Sequence, residues 1–270
     1  MIKKKIGIIG CGNMGEGLFR GLSKVLDKST SLMVSEMDST RRDYLQEKYK
    51  IIVEIDNNVV VKFSDVIILA VKPKDIEDLL KKEVCCGVSK DKLLISIAAG
   101  IKTSSIEKII GKDVPVIRVM PNMPALIGEG ISSISRGVCA NDADVATAKE
   151  IFAAIGDVVE VDEKLVDAVT AVSGSGPAYF CLFIEALIEG AKSLGLDGGT
   201  AEKLVMKTAL GSTKMLVELK ENPARLRAKV TSKGGTTEAA IKAFEKAKFN
   251  SIVKDALKAA EKKSKELSGR

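Results

Sequence analysis

A chain of 270 residues, 46% apolar and 29% charged, has an ordinary globular composition and exceeds the ~100–150 residues typical of one domain. Histidine is absent, which excludes Ser-His-Asp and Cys-His catalysis and every zinc site that needs an imidazole, so no metal is expected. The net charge of +6 is spread along the chain, aromatic residues make up only 4%, and few platforms exist for stacking bases, so nucleic-acid binding is not expected.

Catalysis without histidine suits a cofactor that carries its own reactivity, leaving the protein to bind and orient. Cys11, Cys85, Cys86, Cys139 and Cys181 are an odd set without a C-x-x-C pair, the pattern of reduced thiols in a cytoplasmic protein. Lys3 to Lys5 ahead of IGIIG imitate a signal peptide, but Gly10, Gly12, Asn13 and Glu16 interrupt the apolar run, so export is not expected. The longest uncharged stretch, Ala168 to Ile184, is short for a bilayer and carries Ser173 to Pro177 at its centre, so no membrane segment is expected either.

In chain order, residues 3–9 form a β-branched run ending in glycine, followed from Met14 by a helical pattern through Leu18, Leu22, Val25 and Leu26. A strand over 32–36, a charged helix over 39–49 and a short strand near 51–53 complete a first βαβαβ half. The continuous apolar runs 65–71, 93–98 and 114–119 are those of parallel strands buried on both faces, and a last strand is expected at about 158–161. This alternation predicts an α/β fold with a Rossmann-type doubly wound parallel sheet over 1–162. After Asp162 no strand-like run survives, and 163–270 is expected to be all-helical, with a helix over 177–194 that is apolar on nearly every side.

Gly10-Cys11-Gly12-Asn13-Met14-Gly15 fits G-x-G-x-x-G between a strand and a helix. There Gly10 makes the tight turn, Gly12 lets a pyrophosphate approach the backbone, and Gly15 lets the helix pack on the sheet. Glu36 ends the second strand about twenty residues further on, where an acid bonds ribose hydroxyls and favours NADH. Ser35, Ser39, Thr40, Arg41 and Arg42 can instead hold a 2′-phosphate if Glu36 turns aside. Ala70-Val71-Lys72-Pro73 and Ala98-Ala99-Gly100 leave two strand ends on the ligand-binding edge, with Lys72 either a phosphate contact or a solvated lysine. Val172 to Pro177 imitates a nucleophile elbow, but no histidine is present to act as base, and a kink and cap before the long helix is the local role. In Val230 to Ala240, two glycines and two threonines at a helix start either cap the helix or present N–H groups and hydroxyls to a small carboxylate.

IGIIGCGNMG, AVKP, AAG, RVMPNMP, SGSGPAY and VTSKGGTTEAA stand in the order and spacing of the pyrroline-5-carboxylate reductases, and the chain resembles that family over almost its whole length. The resemblance implies hydride transfer from NADPH, with NADH also possible, to the C=N bond of 1-pyrroline-5-carboxylate, giving L-proline in the last step of proline biosynthesis. It implies cofactor contacts at Gly10, Cys11, Gly12, Asn13, Met14, Gly15, Ser35, Glu36, Asn57, Ala70, Val71, Lys72, Pro73, Ala98, Ala99 and Gly100. Substrate contacts are implied at Ser232, Gly234, Gly235, Thr236 and Thr237, with Thr237 the catalytic hydroxyl and N–H groups around Gly234 to Thr236 holding the carboxylate. The helical half becomes a dimerisation and substrate-binding domain of an intertwined homodimer, with larger rings of dimers a further implication. Two rivals are a β-hydroxyacid-type dehydrogenase, whose G-x-x-G-x-G-x-x-x-K lysine is missing after SGSGPAY, and a non-enzymatic NAD(P)H sensor, which would bind the cofactor without consuming it.

Overall fold

The computed structural model describes residues 2–26, 31–111 and 113–269. It divides into two compact units, one of Met1–Ser175 with Ala260–Arg270 and one of Gly176–Ala259.

In the first unit the elements alternate as β1 (Ile6–Ile9), α1 (Asn13–Leu22), β2 (Leu32–Ser35), α2 (Ser39–Tyr49), β3 (Val53–Glu54), α3 (Asn57–Phe63), β4 (Val66–Leu69), α4 (Ile76–Leu79), β5 (Leu93–Ser96), α5 (Thr103–Ile110) and β6 (Val116–Met120). They form one sheet of order β3-β2-β1-β4-β5-β6-β7-β8, completed by β7 (Gly130–Arg136), α6 (Asp142–Phe152) and β8 (Gly156–Glu160). The chain order reverses between β1 and β4, and ligands bind at such a switch point in doubly wound sheets.

The apolar strands are buried on both faces because their side chains alternate between two cores. Val66 and Ile68 of β4 join Leu18, Phe19 and Phe152 on one side of the sheet, while Ile67 and Leu69 join Val60, Val61 and Ile106 on the other. The sequence missed β7, which runs antiparallel to β6 and parallel to β8. Its Gly-Ile-Ser-Ser-Ile-Ser-Arg run lacks a strong apolar signal, yet Ser132, Ser133 and Ser135 are buried, and Ser135 Oγ donates to the Val161 carbonyl at 2.8 Å.

After Val161 the first unit adds α7 (Val166–Val169), and the helix continues through a π turn, Thr170–Gly174, in which the Ser175 N–H reaches back to the Thr170 carbonyl at 2.8 Å. The S-G-S-G-P stretch was expected to be a kink and cap before the long helix. It starts no separate helix: the helical run Glu163–Ser193 spans 31 residues and is long and apolar enough to cross a membrane by length and composition. The π turn accommodates the glycines without ending the helical run, and Pro177 falls in the first turn of the segment that follows it. Arg118 of β6 pairs with Glu163 at 3.3 Å and ties this part to the sheet, while the Ser264 and Ser268 hydroxyls near the C-terminus donate to Asp167 Oδ1 at 2.9 and 3.0 Å.

The second unit comprises α8 (Gly176–Ser193), α9 (Gly198–Glu218), α10 (Pro223–Lys229), α11 (Thr236–Lys246) and the beginning of α12 (Phe249–Leu267). Phe183, Phe244 and Phe249 cluster with ring centroids 5.5 to 6.2 Å apart. Most apolar side chains of α8 and α9 are nonetheless open, Phe180 at 71% and Val217 at 71% exposure among them.

Gly156 has a φ of +143°, and a Cβ there would stand 2.0 Å from the Gly130 carbonyl oxygen across the β7–β8 ladder. Gly156→Ala is expected to cost about 2–4 kcal/mol through backbone strain and separation of the strands. Urea unfolding should show a lower midpoint with an unchanged slope.

Candidate active site

The carboxyl ends of β1, β2 and β4 surround a cleft of about 550 Å³. Its floor is the glycine turn. Gly10 takes φ +87° with its missing Cβ 2.8 Å from Val71 and 3.0 Å from the Ala70 carbonyl, so a left-handed turn is pressed against the end of β4. Gly15 lies so close beneath this turn that a Cβ would meet the Gly10 carbonyl oxygen at 2.3 Å. At Gly12 the opposite holds: a Cβ would meet nothing within 4 Å among the described residues. Gly12 is also the N-cap of α1, and no side chain caps it among the described residues, so the first N–H groups of the helix are left without a capping side chain.

The wall is made by β2 and its neighbours. Glu36 accepts from the Cys11 N–H at 2.9 Å through Oε2 and from the Asp38 N–H at 3.0 Å through Oε1, leaving lone pairs on both oxygens. The Ser35 hydroxyl donates to Asn57 Oδ1 at 2.6 Å, and Asn57 Nδ2 donates to Glu83 Oε2 at 2.8 Å, fixing the orientation of the carboxamide. Glu83 and Asp38 also line the cleft, and sequence reasoning missed both. Asp38 is visible as an N-cap before α2, but Glu83 comes from a π turn after α4 and carries no motif.

Of the expected cofactor residues, Gly10, Gly12, Ser35, Glu36, Asn57, Ala70, Val71 and Lys72 line this cleft. Cys11, Asn13, Met14 and Gly15 belong to the turn and the start of α1, and Pro73 opens a short 3-10 turn after Lys72. Ala98, Ala99 and Gly100 follow β5 and are not part of its lining. Burial pushes the Cys11 thiol up to about 12 against the pull of Arg41, so it stays protonated and serves as packing.

Arg41 and Arg42, expected near a ribose phosphate, are both engaged. Arg42 Nη1 donates to the Glu36 and Met37 carbonyls at 2.9 and 2.8 Å. Arg41 Nε donates to the Cys11 carbonyl at 2.9 Å and its Nη2 pairs with Glu16 in the first turn of α1. Glu16 also accepts from Lys48 at 2.9 Å and Tyr49 at 2.6 Å.

In the second unit, Ser232, Gly234, Gly235, Thr236 and Thr237 share the loop and first turn of α11, with Thr237 half-buried. Two of the expected carboxylate donors are already used: the Gly234 N–H goes to Glu238 Oε2 at 2.8 Å and the Gly235 N–H to the Ser232 carbonyl at 3.0 Å. The first intrahelical bond is made by Ala239 N–H to the Gly235 carbonyl, so the N–H groups of Thr236, Thr237 and Glu238 are the open ones. No side chain caps this end among the described residues, which leaves an electropositive helix start.

A glycine turn under an uncapped helix at a switch point, faced by an acid at the end of β2, is the arrangement of dinucleotide-dependent oxidoreductases. Residues 163–267 match the family model for pyrroline-5-carboxylate reductase dimerisation, and residues 5–100 match that of NADP oxidoreductase coenzyme F420-dependent. The chain is 42% identical to the pyrroline-5-carboxylate reductase of Synechocystis sp., over 97% of this chain and 98% of that one. Its structure is similar to that of a pyrroline-5-carboxylate reductase from Coxiella burnetii, at 35% identity, a TM-score of 0.89 and 99% of each chain. It is also similar to that of the Plasmodium falciparum pyrroline carboxylate reductase with NADP bound, at 31% identity, a TM-score of 0.87 and 99% of each chain. The chain belongs to the pyrroline-5-carboxylate reductase family.

Burial raises the Glu16 carboxyl, but the hydrogen bonds from Tyr49, Lys48 and Arg41 outweigh it and bring its pKa from 4.5 to about 2. A lowered folded-state pKa contributes stability above the unfolded value and loses it as pH falls through the folded one. Glu16→Gln is therefore expected to cost about 1–3 kcal/mol at neutral pH. Thermal melts from pH 4.5 down to about 2 should show this gap to the native protein closing.

Proposed function

We propose that this protein reduces 1-pyrroline-5-carboxylate to L-proline with NADPH or NADH, as the last step of proline biosynthesis, in the cytoplasm. The observation that carries this is the match to a named reductase at 42% identity over 97% of this chain, in a sequence that itself holds the glycine turn, the acid after β2 and the G-G-T-T helix start. The free thiols of Cys11, Cys86, Cys139 and Cys181 suit a reducing compartment.

The cleft fits a dinucleotide on physical grounds. The open face at Gly12 is a cradle that a side chain would fill, and the α1 N–H groups and helix dipole favour a pyrophosphate there. The Glu36 oxygens, each with a spare lone pair, suit the ribose hydroxyls. Ser35, Asn57 and Ala70 to Pro73 continue the contact surface, and Cys11, Asn13, Met14, Gly15 and Ala98 to Gly100 complete the assignment carried over from the family motifs. When bound, the nicotinamide supplies a hydride to the carbon of the C=N bond.

The chain's own part in that reaction is to hold and orient. The N–H groups of Thr236, Thr237 and Glu238 hold the substrate carboxylate without placing a cationic side chain beside an iminium, and Ser232, Gly234 and Gly235 shape the loop that presents them. The Thr237 hydroxyl bonds the ring nitrogen and keeps the reacting carbon in line. Hydride adds to carbon, the nitrogen carries a proton from solvent, and the product is a secondary amine, so no histidine or other strong acid is needed.

Gly12→Ala should keep its melting temperature but lose binding of both nucleotides by more than about tenfold, since only the approach of a phosphate is blocked. Thr237→Ala should cost roughly ten- to a hundredfold in kcat/KM for pyrroline-5-carboxylate, while Thr237→Ser retains most of it. A stable Thr237→Ala variant with full activity would end the catalytic assignment. Turnover of the reduced cofactor by the native protein separates the reductase from a sensor.

We further assign the helical unit to an intertwined homodimer, able to extend into rings of dimers. Its α8 and α9 leave Phe180, Leu182, Leu204, Leu210 and Val217 open, which a second copy of the same helices can cover, and the dimerisation match spans these residues. The same partner accounts for the apolar length of Glu163–Ser193 without a bilayer. Light scattering should find a dimer or larger assembly at micromolar concentration, and Phe180→Glu with Leu182→Glu should shift it toward monomer. A fully active native monomer overturns the assignment.

A further inference from the structure

Glu16 is absent from the motif that precedes it, yet it gathers more charged partners than any residue of the glycine turn. Arg41, Lys48 and Tyr49, all of α2, converge on its carboxylate from one side, and the Arg41 guanidinium and Lys48 ammonium lie over the Tyr44 ring at 5.0 and 4.9 Å. The Glu16 side chain is 15% exposed and the Arg41 side chain 24%. The Cys11 peptide is clasped between this group and the cleft wall: Glu36 takes its N–H at 2.9 Å and Arg41 Nε donates to its carbonyl at 2.9 Å. Arg41 therefore stands one peptide away from the carboxylate suited to a ribose.

A phosphate on that ribose would bring negative charge toward Glu36, and it needs a cation to offset the repulsion. The arginines flanking Glu36 differ in what they can offer. Arg42 spends Nη1 on two neutral carbonyls and has no ion-pair partner among the described residues. Arg41 gives its charge to Glu16, and Lys48 is held by the same carboxylate.

We propose that Glu16 is a positioning residue that sets dinucleotide selectivity: its carboxylate holds Arg41, together with Lys48, against the first turn of α1 and keeps that guanidinium from pairing with a 2′-phosphate. The inference rests on the reading of the cleft as a dinucleotide site. NADPH binding then depends on Arg42, and Arg41 is a cation in reserve. Releasing it changes the balance between the two nucleotides rather than the chemistry of hydride transfer.

The test is direct binding of NADPH and NADH to the purified protein by nucleotide fluorescence, in the native chain and in Glu16→Gln, Arg41→Ala and the double variant, with thermal melts alongside. Glu16→Gln keeps a polar side chain of the same length beside Tyr49. It should improve the affinity ratio of NADPH over NADH by roughly five- to twentyfold, an effect that shrinks in high salt. The double variant should lose that gain. Arg41→Ala alone should leave the ratio within about twofold of the native value, because a compensated guanidinium contributes little to a phosphate. A purely structural role for Glu16 would weaken both nucleotides equally and leave the ratio unchanged, whatever the fall in melting temperature, and would overturn the proposal. A gain that survives in the double variant would overturn it as well. Should Glu16→Gln fail to fold, a selective loss of NADPH affinity in Arg41→Ala would show that Arg41 already serves the phosphate, again overturning it. Failure of the native protein to bind either nucleotide would instead refute the dinucleotide cleft, and this inference with it.

Discussion

The approach of α1 to the turn that follows β1 governs the rest of the first unit. A Cβ at Gly15 would stand 2.3 Å from the Gly10 carbonyl oxygen, so the helix can start where it does only because no side chain intervenes. That proximity places the open N–H groups of α1 at the point where the sheet reverses its chain order, and leaves the unfilled space at Gly12 facing the cleft. It also brings the next residue, Glu16, under α2, where Arg41, Lys48 and Tyr49 close on it. One tight contact thus sets the open helix start at the end of the cleft and the attachment of the helix beside it.

The second unit works under a different constraint. It has few buried side chains of its own, and the three phenylalanines around Phe183 are a small cluster for five helical elements. Apolar surface exposed on this scale is unfavourable in water by about 25 cal/mol per Å², so it is stable only when another surface covers it. The reaction places few demands on the unit beyond this. Under the proposed assignment a helix start and a hydroxyl are all that this unit supplies to an anionic imine, which is consistent with a chain that has no histidine.

Much of the architecture was legible before folding. The apolar runs around Ile67, Ile95 and Ile117 all became buried strands, and the charged stretch Ser39–Tyr49 became α2. These signals survive because a strand buried on both faces is dominated by apolar side chains and so stands out against its neighbours. The strand β7 was hidden because its buried serines read as polar in the sequence, and Ser135 finds its partner, the Val161 carbonyl, only through the fold. The S-G-S-G-P stretch misled in the other direction, because local chemistry favours a break and the tertiary setting tolerates a π turn.

The same division runs through the site. The amino-acid order by itself determined the glycine turn, the acid after β2, the G-G-T-T helix start and the alternation that specifies a doubly wound sheet, since each depends on residues close together in the chain. Only the tertiary structure decided which donors are spent and which remain open. Glu83 reaches Asn57, Glu16 takes Arg41 away from the cleft, and Glu238 occupies the Gly234 N–H. Whether a charge is free is a property of what packs beside it, and the neighbours of Asn57 and Arg41 lie more than twenty residues away along the chain.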